Sequence, residues 1–378
     1  MKTTKTLLMG FIILSLLASV GCKDDNNITL EEVATDNPLQ TELDQSVHNI
    51  FEPYIKDTRR PALSIAAIDG SNTKYYNYGE TERGSGELPS STSFYEIASI
   101  TKTLTASVIA ALLEAEEIPV NTPIYELLPG DYSHLNYEGH PITLMHLLNH
   151  TAGFKRLPSD ILSKSTNEKP YENYRFEDML SYLEDYSLTK KPGTSYEYSN
   201  FGYALLSYIV EYQTETTISD YIQALITNPL NMTSTNMELY ALDEFQNEQI
   251  MKAHKTNGEP TDYWVWNDWR GMGGLYSNLE DMEKYMRAQF DSYNGEMAKA
   301  FRQARELTYD EDDAKLGWAW HLAKQPDNLY FHTGGSSGFT SMIMFDPAKE
   351  KGLIVLTNSF DEAIFVPCFE FIDAFINE

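Results

Sequence analysis

Strand-like patterns lie near both ends of this 378-residue chain, and mostly helical patterns lie between them. A helical pattern over about residues 39 to 56 precedes two strand-like runs, PALSIAAID and KYYNYGE. Further runs near the C-terminus are KLGWAWHLA, NLYFHTG, FTSMIMF and GLIVLTN, followed by the helical pattern AIFVPCFEFIDAFI. This order predicts an α/β (α+β) fold in which strands from both ends pair into one antiparallel sheet, terminal helices flank the sheet, and a helical lobe is inserted.

A serine and a lysine three residues apart stand at the start of a predicted helix. The run ITKTLTASVIAALLEAEE after Ser99 has apolar residues at helical spacing, and three residues make nearly one turn, so Ser99 and Lys102 share a face. Unpaired N–H groups and positive potential at a helix N-terminus favour an alkoxide and depress the pKa of a lysine. Ser99 is therefore predicted to be a nucleophile activated by Lys102, with helix capping as its alternative role.

Three competing motifs carry less weight. Ser71 and Lys74 repeat the spacing, but they lie in a DGSN turn between strand-like runs, where no helix aligns the pair. The sequence GGSSG matches the nucleophile elbow G-x-S-x-G, yet a strand pattern follows where that elbow needs a helix, so Ser336 is predicted to be a turn residue. His146 and His150 have the spacing of metal ligands but no H-E-x-x-H frame or third ligand, which favours structural roles.

Two other polar segments support the assignment of Ser99. The turn KPGTSYEYSN runs into the helical pattern FGYALLSYIVEY, which places Tyr198 and Asn200 on a rigid loop at a helix entrance. The segment FHTGG ends a strand-like run, and its glycines are expected to let a substrate backbone approach closely. The Y-x-N matches that begin at Tyr75 and Tyr171 precede no strongly patterned helix, and we interpret them as incidental.

Together, Ser99-x-x-Lys102, Tyr198-x-Asn200 and His332-Thr333-Gly334 resemble the S-x-x-K, Y-x-N and K/H-T-G motifs of the serine β-lactamase and penicillin-binding protein superfamily, in its class C β-lactamase and DD-peptidase branch. The segments LLNHTAGF and GGLYS, the latter followed by Asp281, are similar to further segments of that family. The similarity covers about residues 46 to 378. It implies a β-lactamase/transpeptidase-like fold with the helical lobe at about residues 100 to 265.

The resemblance also implies a mechanism, acyl transfer through a covalent intermediate on Ser99. Lys102 and Tyr198 would take the serine proton, Tyr198 would then protonate the leaving group, and His332 would polarise or orient Tyr198. Backbone N–H groups of Ser99 and Gly335 would hold the oxyanion. This chemistry requires neither a metal nor an organic cofactor.

The same resemblance implies substrate-binding roles for Asn200, Thr333, Gly334 and Gly335. Asn200 would hold a substrate amide, and Thr333 would contact a substrate carboxylate. His332 stands where class C β-lactamases typically have lysine. Because histidine has an ordinary pKa of about 6.5, carboxylate recognition is expected to weaken between about pH 6 and 8.

These observations predict a cell-envelope serine hydrolase that acts on D-amino-acid peptides, like a DD-carboxypeptidase or a D-aminopeptidase. A β-lactamase or an esterase of the same superfamily is the alternative within the class. A non-catalytic envelope binding protein that retains the fold is the alternative of another class, and the presence of Ser99, Lys102 and Tyr198 counts against it. Four residues, Tyr263, Trp264, Trp266 and Trp269, are expected either to line the cleft or to pack in the core.

Charge limits the partners of the protein. The formal net charge is −28 and basic residues form no cluster, which argues against nucleic acid because phosphate contacts need lysine and arginine. The expected partner is a small-molecule or peptide substrate, and the sequence indicates no protein partner.

The N-terminus predicts export. Two lysines precede the apolar run LLMGFIILSLLASV, which is too short to span a membrane comfortably and typical of a signal peptide. The following SVGC resembles a bacterial lipobox, so we expect residues 1–21 to be a lipoprotein signal peptide and Cys22 to be lipidated and membrane-bound. Ordinary secretion with cleavage nearby is the alternative. Residues 22–45 are predicted to be a flexible acidic tether and 46–378 the hydrolase domain, with Cys368 buried as a small apolar side chain.

Overall fold

The computed structural model describes residues 32–237 and 249–377. The predicted signal peptide and Cys22 lie outside these ranges. The helices are α1 (Glu42–Ile55), α2 (Thr101–Ala115), α3 (Leu144–Leu148), α4 (Phe176–Glu184), α5 (Asn200–Thr214), α6 (Ile218–Ile222), α7 (Arg270–Gly273), α8 (Leu279–Ala288), α9 (Ala298–Arg305) and α10 (Phe365–Asn377). Single 3₁₀ turns cover Ala98–Ile100, Ile124–Glu126, Ile161–Ser163, Asn267–Trp269 and Glu362–Ile364, and a π-helical turn covers Gln223–Thr227.

The longer strands come from both ends of the described chain. They are β1 (Ala62–Asp69), β2 (Asn72–Gly79), β10 (Tyr330–Gly335), β11 (Thr340–Asp346) and β12 (Lys351–Thr357). The short strands are β3 (Tyr95–Glu96), β4 (Asn136–Tyr137), β5 (His140–Pro141), β6 (Tyr276–Ser277), β7 (Tyr309–Asp310), β8 (Lys315–Leu316) and β9 (His321–Leu322).

One antiparallel sheet joins the two ends, in the order β2-β1-β12-β11-β10-β9-β8-β7. The junction is the pairing of β1 with β12, in register from Leu63 opposite Thr357 to Asp69 opposite Lys351. The predicted fold class is therefore confirmed. Strand β10 lies three strands from β1 in this order. It contacts the 3₁₀ turn Ala98–Ile100, which carries Ser99.

The centre of the sheet is buried on both faces, and this explains why β1 is apolar from Ala62 to Ile68 except at Ser64, which is hydrogen-bonded. Leu63, Ile65 and Ala67 pack into the layer formed with α1 and α10, whereas Ala62 and Ala66 pack into the larger core on the opposite face. Successive side chains of a strand point to opposite faces, so a strand covered on both sides needs apolar residues at every position. The prediction that Cys368 is a buried apolar side chain is confirmed, since it lies in the α1–α10 layer.

The second S-x-x-K match has a structural role. Ser71 lies in the turn between β1 and β2, and the Lys74 ammonium on β2 contacts a carboxylate oxygen of Asp44 at 2.8 Å. Asp44 in turn forms a capping box with Thr41 at the start of α1. The interpretation of this pair as a chance match is confirmed.

Helix α2 forms the centre of the helical layer beside the sheet. The segment Ala98–Ala115 has the length and apolar composition of a membrane span, yet 78% of it is buried inside the protein, as in the core helix of a globular domain. Its polar side chains find internal partners, since Thr105 donates to the Gly271 carbonyl at 2.6 Å and Ser107 to the Thr103 carbonyl at 2.8 Å. Helices α2 to α6 fall within the predicted lobe at about residues 100 to 265.

The run KLGWAWHLA was predicted to be a strand, but it does not form one continuous strand. It forms β8 and β9, which pair with each other as a hairpin, with Leu316 opposite His321. The Gly317 N–H donates to the Trp320 carbonyl at 2.8 Å and closes the turn, while Trp318 and Trp320 are buried in the core. Glycine is required because a Cβ at position 317 would come within 2.7 Å of the Ala304 carbonyl oxygen.

Candidate active site

Ser99 lies in the 3₁₀ turn that leads into α2, almost buried. Its neighbour Ala98 has a φ of 45°, a left-handed conformation that is strained for alanine and recurs at functional sites. Lys102 is in the first turn of α2, and its Nζ lies 3.0 Å from Ser99 Oγ. The same nitrogen donates a hydrogen bond to the Met272 carbonyl at 2.6 Å. The predicted approach of the serine and the lysine is thus present.

The environment of Lys102 favours the neutral amine. Its side chain is fully buried, and this burial, with a smaller effect of the Arg156 charge, holds the pKa of Lys102 well below 10.5. With one N–H directed at Met272, the lone pair of a neutral amine is free to accept the Ser99 proton. The sequence argument ascribed this pKa shift to the helix N-terminus, but in the structure removal from water is the main cause.

Tyr198 completes the proton path beside the serine. Burial raises the pKa of Tyr198, although Arg156 and a hydrogen bond with Ser99 act in the opposite direction. The phenol therefore stays protonated at neutral pH, while burial favours the neutral form of the Lys102 amine. Lys102 Nζ lies 5.1 Å from the centroid of the Tyr198 ring, so the base and the acid are close to each other beside Ser99.

His150 packs against the ring of Tyr198. The two rings stack with centroids 4.4 Å apart and planes 30° apart. His150 Nδ1 accepts the backbone N–H of Ser199 at 3.1 Å, so its proton is on Nε2, and burial holds the pKa of His150 well below 6.5. Within residues 32–237 and 249–377 there is no cluster of three or more His, Cys, Asp or Glu able to hold a metal. Consistent with a structural role, His146 Nδ1 accepts the Thr143 N–H in a helix cap.

His332 is a neutral acceptor. Its Nδ1 lies 2.7 Å from the Thr333 carbonyl oxygen, and because a carbonyl only accepts, Nδ1 carries the proton. Nε2 is then a lone pair, is buried and has no protein partner. The His332 ring is 6.4 Å from that of Tyr198 and 5.5 Å from that of His321. Burial is the main reason that the pKa of His332 lies well below 6.5. The expected titration of His332 between pH 6 and 8 is therefore wrong.

Strand β10 divides its residues between two faces. His332 and Gly334 are buried, while Thr333 and Gly335 are partly exposed, as the alternation of a strand requires. A Cβ on Gly334 would overlap the Ile97 carbonyl oxygen and Ser341 Oγ. Gly334 thus allows β10 to pack against the turn that carries Ser99, and its expected role in the close approach of a substrate stays a prediction. Thr333 and Gly335 are the residues left accessible for that contact.

Asn200 begins α5, whose first turn is capped by the Ser199 hydroxyl accepting the Gly202 N–H at 3.0 Å. Asn200 Nδ2 donates to the Tyr171 hydroxyl at 3.2 Å, while Asn200 Oδ1 is buried and without a protein partner. An amide oxygen in this position is suited to accept an N–H from a substrate.

Tyr171 is not incidental, because its hydroxyl contacts Asn200. Its ring lies 5.1 to 5.3 Å from the rings of Trp264, Trp266 and Trp269. Trp266 and Trp269 are buried and Trp264 is half-buried, so these three pack around Tyr171, while the half-buried Tyr263 stacks on Phe339.

Three further residues of the site had no motif to mark them. The guanidinium of Arg156 lies over the Tyr198 ring, with Cζ 5.1 Å from its centroid. His321 borders His332, and burial lowers the pKa of His321 to about 4. Glu96, three residues before the serine, is buried and accepts the Tyr276 hydroxyl at 2.5 Å. The one sequence signal for Glu96 was the presence of a glutamate within an apolar strand pattern.

A serine within 3.0 Å of a buried lysine whose pKa is lowered, and beside a tyrosine whose pKa is raised, defines a serine acyl-transfer site. The Beta-lactamase family model matches residues 47–373. The chain therefore belongs to the beta-lactamase family, which confirms the predicted resemblance.

Similar proteins include both hydrolytic branches of this family. Protein flp of Staphylococcus aureus is 25% identical over 331 residues, which cover 85% of this chain and 64% of that protein, so this chain spans less than two thirds of it. The D-alanyl-D-alanine-carboxypeptidase/endopeptidase AmpH of Escherichia coli is 26% identical over 79% of each chain. The crystal structure of a beta-lactamase/D-alanine carboxypeptidase from Pseudomonas syringae has the same fold, with a TM-score of 0.74, 20% identity, and coverage of 88% of this chain and 99% of that one.

Proposed function

We propose that this protein is a cell-envelope serine hydrolase that forms an acyl-enzyme on Ser99 and acts on D-amino-acid peptides. The observation that carries the choice of substrate is His332, which is buried and neutral where class C β-lactamases typically have lysine. Strand β10 thus presents no cation from this position to a substrate carboxylate, whether of a β-lactam or of a peptide C-terminus, and in this residue it departs from the class C β-lactamases. The carboxypeptidase activity in the name of the AmpH relative supports the same choice.

The proposed reaction begins with transfer of the Ser99 proton to the neutral amine of Lys102, as Ser99 Oγ bonds to the substrate carbonyl carbon. Backbone N–H groups of Ser99 and Gly335 stabilise the oxyanion. The Tyr198 hydroxyl donates its proton to the leaving nitrogen as the C–N bond breaks, and the ammonium of Lys102 restores the proton of Tyr198. Water then attacks the acyl-enzyme, gives its proton to Lys102, and Ser99 leaves with that proton.

Hydrolysis of β-lactams is the second candidate, and the position of Tyr198 favours it. A protonated tyrosine beside the nucleophile serves the departure of a lactam nitrogen as well as that of a peptide nitrogen. The similar structure from Pseudomonas syringae carries both activities in its name.

A substrate panel distinguishes the candidates. Purified protein is incubated with an N-acyl-D-Ala-D-Ala peptide, its L-Ala-L-Ala counterpart, a cephalosporin and a short-chain ester, and the Ser99→Ala variant is the control. We expect cleavage of the D,D-peptide and not of the L,L-peptide, slower cephalosporin turnover, and no activity in the variant. Faster turnover of the cephalosporin than of the peptide would assign the protein to the β-lactamases, and activity in Ser99→Ala would remove Ser99 from the mechanism.

The envelope location rests on the N-terminal sequence alone. We expect lipidation of Cys22 to hold the domain at a membrane surface through the acidic segment that follows it. Such a tether would leave the domain free to reach polymeric or diffusing substrates near the membrane.

A further inference from the structure

An exposed arginine lies at the mouth of the site. The Arg156 side chain is exposed to solvent, yet its guanidinium carbon is only 5.1 Å from the centroid of the Tyr198 ring. Its charge lowers the pKa of Lys102 and acts in the same direction on Tyr198 and Tyr171. Arg156 is therefore close enough to influence the groups that would meet a substrate.

The backbone of Arg156 is held at one side of the cleft. Its carbonyl oxygen accepts the N–H groups of Asn200 at 3.0 Å and Phe201 at 3.2 Å, which are the first residues of α5. The unpartnered, buried Asn200 Oδ1 is on this same side. Arg156 thus lies on the Asn200 side of the site.

Arg156 has no carboxylate partner among residues 32–237 and 249–377, unlike its basic neighbours. Lys155 pairs with Glu197 at 2.7 Å, and Lys190 approaches the other oxygen of Glu197 at 3.8 Å. The chain has 56 acidic and 28 basic residues, so internal carboxylates outnumber the cations that pair with them. A guanidinium that stays unpaired in so acidic a protein, directly above the proposed acid catalyst, is available to an external anion.

We propose that Arg156 binds a carboxylate on the acyl part of the substrate, the part that Asn200 holds through its amide. This inference rests on the proposed function, because it specifies which substrates the enzyme prefers. Their acyl group carries a free carboxylate beyond the amide next to the scissile bond. A guanidinium binds a carboxylate through two parallel hydrogen bonds, and an opening lined by Arg156 selects such substrates over neutral ones of the same size.

The test compares mono-p-nitrophenyl glutarate with p-nitrophenyl butyrate. Their acyl chains differ by one terminal carboxylate. The proteins are the wild type, Arg156→Gln, Arg156→Lys and the matched control Lys155→Gln, which removes an adjacent exposed cation that Glu197 already neutralises. The quantity measured is the ratio of kcat/KM for the anionic ester to kcat/KM for the neutral ester.

We expect Arg156→Gln to lower this ratio by about 10- to 100-fold, the range typical of a hydrogen-bonded charge pair. The loss should fall mainly on KM, Arg156→Lys should retain part of the preference, and Lys155→Gln should leave the ratio unchanged. Added salt should reduce the wild-type ratio, because an exposed ion pair is screened.

Equal losses on both esters would overturn the inference, because they would show that Arg156 acts through the pKa of Lys102 or through folding. An equal fall in Lys155→Gln would overturn it too, since general surface charge would then set the preference. Failure of the proposed function looks different: the Ser99→Ala variant would hydrolyse the neutral ester as fast as the wild type, whatever the ratio.

Discussion

Replacing Glu96 by glutamine is expected to make the folding stability of this protein less sensitive to pH. Glu96 is 1% exposed, and burial raises its pKa from 4.5 to about 7, although the Tyr276 hydroxyl, which donates a hydrogen bond to Oε1, acts in the opposite direction. One carboxylate oxygen, Oε2, has no hydrogen-bond partner. The folded protein therefore holds the Glu96 proton more tightly than the unfolded chain does.

The sign and size of the effect follow from that difference. Stability contributed by the protonated carboxyl is fully present below pH 4.5 and is lost as the pH rises through about 7. Titration of one group between these two pKa values removes about 2.5 kcal/mol of unfolding free energy between pH 5 and pH 8. Glutamine keeps the size of the side chain and an oxygen to accept the Tyr276 hydroxyl, but it does not titrate.

The assay is urea unfolding followed by tryptophan fluorescence at several pH values from 5 to 8, on the wild type, Glu96→Gln and the exposed control Glu306→Gln. The stability difference between Glu96→Gln and the wild type should shift by about 2.5 kcal/mol in favour of the variant over this range. The control should show no such shift. If wild type and Glu96→Gln lose stability in parallel as the pH rises, Glu96 does not carry a raised pKa and the argument from its burial is refuted.

Three other predictions concern catalysis, packing and location. Lys102→Ala and Tyr198→Phe should each lower kcat by about 10² to 10⁴, as removal of a general base or acid does, and losses below tenfold in steady-state assays would indicate another proton path. Gly334→Ala should destabilise the protein by about 1 to 3 kcal/mol, because the added methyl group overlaps the Ile97 carbonyl. The same variant should be labelled less at Ser99 by a fluorescent phosphonate. An unchanged melting temperature would contradict this prediction. Cys22→Ser should release the protein from the membrane fraction, and a wild-type mature protein without lipid mass would contradict the anchor.

Local patterns were sufficient for the elements that have strong local causes. The run PALSIAAID predicted the strand β1, and the apolar spacing after Ser99 predicted α2 and the shared face of Ser99 and Lys102. Gly317 was the local sign that KLGWAWHLA contains a turn, but the alternation on either side of it resembled one strand. In that case the tertiary structure decided, because the tryptophans of the turn are buried by residues distant in sequence.

The electrostatics of the site depend on contacts that no local pattern contains. Whether Lys102 is neutral depends on how completely it is removed from water and on Arg156, which is 54 positions away in the sequence. Strand alternation shows that His332 and Thr333 point to opposite faces, but the packing of the helical lobe decides which face is the cleft. Residue types and spacings establish which chemical groups are present; their pKa values and partners arise only when folding excludes water and brings distant segments together.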